Sequence, residues 1–167
     1  MRVTSPARTP PDIQSQAAGL PLAVDLDGTL LLTDTLFEAM AEQLRRRPFW
    51  VFWQMILLPF SIAKVKARIQ SAARVNIATL PVNQAVADYC ISARAEGRQV
   101  WLVTAADQAV AEETVKHFPF FHRAVGSDGV TNNKGAAKAR KLQELAPQGW
   151  EYVGDSRADL KVWKHAK

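Results

Sequence analysis

Between Gln43 and Ala87 the chain has no aspartate or glutamate, although the same block holds seven lysines and arginines. Cysteine is nearly absent as well. The lone Cys90 excludes an internal disulfide and a thiolate zinc site, and it suits a reducing, cytoplasmic compartment. In a helix-patterned apolar stretch, such a cysteine reads as a small buried hydrophobe. An uninterrupted apolar run of about 20 residues, the length that crosses a bilayer, is also missing. The charge-free stretch from Pro48 to Ala63 is shorter and carries Pro59, so it is not expected to span a membrane. Residues 1–19 are rich in Pro, Ser and Thr and lack the apolar core of a secretory signal; they read as a disordered leader.

What is present is a folded composition of 167 residues, enough for one domain with a small insertion. The net charge is +5, and because the block from Gln43 to Ala87 carries +7, the remainder carries −2. A basic excess confined to one block points to a local anionic partner: a lipid surface, a phosphate ester or nucleic acid. A solvated basic face is the plain alternative.

Leu20 to Asp25 is apolar on both faces, as a buried parallel strand is. Arg98 to Ala105, Phe121 to Gly126 and Trp150 to Val153 are three further strand candidates. Helical patterns run from about Asn83 to Glu96, from Asp107 to His117 and from Gly135 to Leu145, and another begins near Asp159. Strands alternating with helices imply an α/β fold with a three-layer, Rossmann-like parallel sheet. The segment from Thr33 to Leu80 breaks the rhythm, being helical or apolar throughout. It is expected to be a small helical insertion (33–80) after the first strand, with 20–32 and 81–167 forming the core.

Ligands of such sheets bind beyond the carboxyl ends of the strands, so polar residues ending apolar strands are the candidates for chemistry. Asp25, Asp27, Gly28 and Thr29 follow the first strand, Thr104 ends the second, Lys134 precedes a helix, and "GDSRAD" (Gly154 to Asp159) follows the last strand. Singly, each is explained by a turn, a cap or a solvated charge. Together they suggest a phosphate site. Carboxylates facing one another at a strand end repel and call for a cation, and magnesium prefers oxygen ligands supplied by one or two carboxylates and substrate phosphate. Asp25 and Asp155, with the backbone carbonyl of Asp27, are the expected metal ligands. Asp25 can then attack phosphorus, while Thr104, Lys134 and the amides around Gly28 hold phosphoryl oxygens.

These words, "DLDGT", "VTA", Lys134 and "GDSRAD" in that order, resemble the signature of the haloacid dehalogenase-like superfamily of phosphohydrolases. The resemblance implies a magnesium-dependent phosphatase with Asp25 as nucleophile and Asp27 as general acid and base. It also implies phosphate binding by Gly28, Thr29, Thr104, Ala105 and Lys134, magnesium on Asp25, Asp27 and Asp155, and support from Asp159. The inserted segment would be a cap that closes over the site. The flanking words "PLAVDLDGTLLLTDTLFE", "GSDGVTNNKGAAK" and "YVGDSRADLKVWKHA" are similar to the phosphatase-like domain fused ahead of UbiA-type prenyltransferases.

The expected function is therefore hydrolysis of a phosphate monoester, on a phosphorylated small molecule or polyprenyl-linked compound. The expected partners are an anionic membrane surface on its inner face and a prenyltransferase. A catalytically idle module docked on a membrane enzyme is the alternative. Nucleic-acid binding ranks last, because the basic block carries no recognisable motif for bases or backbone.

Overall fold

The computed structural model describes residues 19–57, 68–69, 75–128 and 131–167. Four strands, β1 (Leu22–Val24), β2 (Val100–Asp107), β3 (Arg123–Ser127) and β4 (Glu151–Val153), form one parallel sheet in the order β3-β2-β1-β4. The helices whose full extent lies within the described residues are α1 (Thr35–Arg46), α2 (Pro48–Leu57), α3 (Gln84–Ala95), α4 (Gln108–His117), α5 (Ala136–Leu145) and the single turn α6 (Leu160–Trp163).

Alternation along the strands sorts the core into two layers. Leu22, Val24, Val100 and Leu102 pack on one side with Ala87, Cys90 and Ala93 of α3 and Ala111 of α4. Ala23, Trp101 and Val103 pack on the other with Leu142 of α5 and Val162 of α6. This is the expected three-layer α/β architecture, and the strands are apolar on both faces because both are covered. Cys90 is fully buried, and burial pushes its thiol up to about 12, which leaves it unreactive.

The chain moves outward from β1 to β2 to β3 and then returns to the other side of β1 to place β4. The carboxyl ends of β1 and β4 therefore flank the point where connections leave in opposite directions, which is where open α/β sheets form their ligand crevices. Strand β2 runs two residues past its expected end, since Asp107 pairs with Ser127 across a register shift.

The described part of 33–80 holds α1, α2, the helical residues 68–69 and a 3₁₀ turn at Ile77–Thr79, without a strand. Asp34 caps α1, accepting from the amides of Leu36 and Phe37, the usual way to satisfy a helix's first donors. The expected leader, apart from Gly19, and residues 58–67 and 70–74 of the insertion lie outside the described residues. Among the described residues, no helix is long and apolar enough to cross a membrane.

Candidate active site

Asp25 leaves β1 with its amide still bonded to the Val153 carbonyl, so the sheet aims it before any side chain does. Its carboxylate is buried and Oδ1 lies 3.0 Å from Nζ of Lys138. Burial raises the Asp25 carboxyl above the usual carboxylate range, although Lys138 pulls the other way. Two residues on, Asp27 Oδ1 accepts the amide of Thr35, the first residue of α1, at 2.7 Å. Its carboxyl is pushed up to about 6, mainly by burial, and the Thr35 amide opposes the shift.

Gly28 stands at φ +78°, and a Cβ there would collide with the Asp155 carboxylate. A side chain is thus excluded twice, by backbone conformation and by the approach of Asp155. This tight passage sets the first motif against the last. Thr29, expected at the phosphate, is buried, and its hydroxyl donates to Asp155 Oδ1 at 3.2 Å; the side chain braces a carboxylate.

Carboxylate oxygens of Asp25, Asp155 and Asp159 all lie within 4.8 Å of one another. Lys138 meets Asp25 and Asp159 but not Asp155, so the three carboxylates outnumber the one ammonium among them, and their all-oxygen donor set suits magnesium. The residues present therefore fit the expected ion. Of the expected ligands, Asp25 and Asp155 are brought together; the Asp27 carboxylate lies outside this group and Asp159 lies within it.

Asp159 is held from every side. Its Oδ2 accepts from the amide and hydroxyl of Ser156 at 3.0 and 2.6 Å, and Oδ1 accepts from the Tyr152 hydroxyl at 2.6 Å and from Lys138 Nζ at 3.4 Å. Burial alone would raise its carboxyl, but Lys138, Ser156 and Tyr152 outweigh that and hold it below the usual range. Lys138, 2% exposed, touches Asp25, Asp159 and, at 2.7 Å, the Tyr152 hydroxyl. Neither Lys138 nor Tyr152 is among the site residues expected from the sequence. The available signal was helical phase: Lys138 lies one turn before Leu142 on the buried stripe of α5, where a cation has to find a partner.

Lys134 is exposed, makes no ion pair among the described residues, and lines the same cavity as the acidic residues. Its loop is anchored by Asn133, which donates from Nδ2 to the carbonyls of Thr104 and Val125. Thr104 is fully buried; its hydroxyl accepts from the amide of Ala106, while Ala105 reaches the cavity wall. The cavity, about 430 Å³, is lined by Asp25, Asp27 and Gly28, by Lys134, Lys138 and Asp155, and by Thr33, Asp34 and Leu36 from the start of the 33–80 segment.

The chain is similar to known proteins in sequence and in fold. The model of the haloacid dehalogenase-like hydrolase family matches residues 22–164, and the chain belongs to that family. It is 39% identical over 155 residues to the uncharacterized protein y4nM of Sinorhizobium fredii, covering 88% of this chain and 28% of that protein's length. The chain thus spans little more than a quarter of that curated relative. A haloacid dehalogenase family hydrolase, t0658, from Salmonella enterica serovar Typhi superposes with a TM-score of 0.62 at 14% identity, over 88% of this chain and 61% of that one. A substrate-bound phosphoserine phosphatase superposes at 0.60 with 15% identity, over 88% and 82%. At such identities these structures share the fold.

Proposed function

We propose that this chain is a magnesium-dependent phosphatase that hydrolyses a phosphate monoester through an aspartyl-phosphate intermediate. The observation that carries the reading is the meeting of Asp25, Asp155 and Asp159 at the sheet's switch point, with Lys134 and Lys138 on the same cavity. An acidic cluster facing two cations suits a dianionic phosphate bound through a metal.

In the proposed reaction an Asp25 oxygen attacks phosphorus while Asp27 gives its proton to the departing alcohol oxygen. Asp27, now a carboxylate, takes a proton from water, which attacks the phosphoryl group and frees Asp25. A carboxyl titrating near 6 is well matched to both halves near neutrality. Lys134 and the amides around Gly28 and Ala105 hold phosphoryl oxygens, Lys138 fixes the Asp25 carboxylate, and Asp159 holds Lys138. Magnesium, held by Asp25, Asp155 and the Asp27 carbonyl, would neutralise charge on the phosphoryl oxygens.

Thr33, Asp34 and Leu36, which also line the cavity, are the proposed contacts to the rest of the substrate, as side chains at the start of a capping segment. A phosphorylated small molecule fits such a cavity. The polyprenyl-linked reading, with a UbiA-type prenyltransferase as partner, draws support from the outward apolar face of α2 described below. Phosphate release from sugar phosphates, nucleotides, amino-acid phosphates and prenyl phosphates, with magnesium and with EDTA, tests the proposal. Release that needs magnesium and is lost in Asp25→Asn supports it; silence across every class with magnesium favours the idle module.

A further inference from the structure

Helix α2 is built inside out. Val51 and Gln54 are buried, at 5% and 7% exposure, and Trp50 packs against the small cluster of Ala39 and Ile69. The large apolar residues Phe49, Phe52, Trp53 and Ile56 are 84%, 63%, 63% and 44% exposed. Their spacing of i, i+3, i+4 and i+7 puts them on one stripe of the helix, the stripe that a helix of a globular protein ordinarily turns toward its core. Here the stripe faces out while a glutamine faces in, its Oε1 without a hydrogen-bond partner. Aromatic surface gathered in this way marks a contact site.

Charge selects the occupant. Arg45, Arg46 and Arg47 are exposed at the junction of α1 and α2, inside the block that holds seven cations and no acid. Glu42, just before the block, pairs with Arg45 and Arg46, but exposed pairs are weak and leave the cations able to reorient. A second copy of the chain meeting face to face would set one arginine triplet against the other. Aromatic residues flanked by arginines suit an anionic lipid surface, where rings enter the headgroup layer and cations meet phosphate.

We infer that the outer face of α2, with Arg45 to Arg47, is a docking surface that lays this domain on an anionic membrane. The surface is separate from the cavity, so its test does not depend on the proposed phosphatase reaction. The protein is sedimented at low salt with vesicles of phosphatidylcholine alone and with vesicles in which about a third of the lipid is phosphatidylglycerol. The expected result is binding to the anionic vesicles, release by added salt, and little binding to the neutral ones. Phe52→Ser with Trp53→Ser should weaken partitioning at least about tenfold. Replacing Arg45, Arg46 and Arg47 by Gln should weaken it about 10- to 100-fold, since each engaged cation is worth about fivefold. Both variants alter exposed side chains, and their thermal melting and any turnover of a soluble aryl phosphate should match the parent's. Protein left in the supernatant with both vesicles overturns the inference. So does a concentration-dependent dimer in sedimentation equilibrium that Phe52→Ser with Trp53→Ser dissolves without any effect on vesicle binding, for that assigns the face to a second copy.

Discussion

Replacing Lys138 by Met and, separately, Lys134 by Met puts the two lysines of the cavity to opposite tests. Lys138 is 2% exposed and stands between Asp25 and Asp159, at 3.0 and 3.4 Å. Methionine fills its volume but leaves two carboxylates facing each other without the cation. Removing one partner of a buried ion pair typically costs about 3–5 kcal/mol, and a chain of this length loses roughly 2–4 °C of melting temperature per kcal/mol. Lys138→Met should therefore melt about 6–20 °C below the parent in EDTA, with part of the loss restored by magnesium, because a cation among the same carboxylates relieves the same repulsion. Lys134 is exposed and makes no ion pair among the described residues, so Lys134→Met should melt within about 2 °C of the parent and instead raise KM for a phosphate ester. The pH profile adds a sign. Lys138 lowers the Asp25 carboxyl against burial; without it the carboxyl rises further, and the rising limb of activity that reports a deprotonated nucleophile should move to higher pH. Differential scanning fluorimetry with and without magnesium, alongside phosphate release, reads all of this. Two variants that melt alike in EDTA would show that Lys138 makes no buried pairing that Lys134 lacks.

Asp27→Asn should slow turnover of an alkyl phosphate about 10²–10⁴-fold, with a smaller effect on an aryl phosphate whose leaving group needs no proton; equal slowing on both would remove Asp27 from the acid role. Because its carboxyl is raised to about 6 and acts first in its protonated form, the parent's rate on alkyl phosphates should fall as pH rises above that value, and a flat profile from pH 5 to pH 8 would contradict the assignment. Gly28→Ala drives a methyl into Asp155 from a backbone at φ +78°, so the magnesium concentration for half-maximal activity should rise at least about tenfold, as measured by titration. Tyr152→Phe removes a hydroxyl bonded to both Lys138 and Asp159; a loss of about 1–3 kcal/mol in urea unfolding is expected, and an unchanged midpoint would make that network decorative.

The sheet was legible because its strands are buried on both faces and so read as unbroken apolar runs, with Leu22 to Val24 and Val100 to Val103 the plainest. Their ends were less so: Trp150 is apolar and fully buried, yet it lies just outside β4. The acidic half of the site was legible for the same reason in reverse, since Asp25 and Asp155 are polar residues at the ends of apolar strands. Lys138 was hidden among like neighbours. In "NKGAAKARK" four cations follow one another within a turn or two, and linear spacing does not say which one turns inward; the phase against Leu142 decides it. Tyr152 reads as an ordinary strand aromatic until its hydroxyl is seen between Lys138 and Asp159. Thr29 and Gly28 were recognised as a motif, but their bracing of Asp155 depends on a partner more than a hundred residues away, and no local pattern carries that distance.

The proposed reaction stands or falls on covalent phosphorylation of Asp25. Its most direct test is acid quenching during turnover of a phosphate ester with magnesium, followed by peptide mass mapping. A single phosphoryl group is expected on the peptide carrying Asp25, absent in Asp25→Asn and absent when EDTA replaces magnesium. Turnover with no modified peptide, or with the label on any other residue, would contradict it.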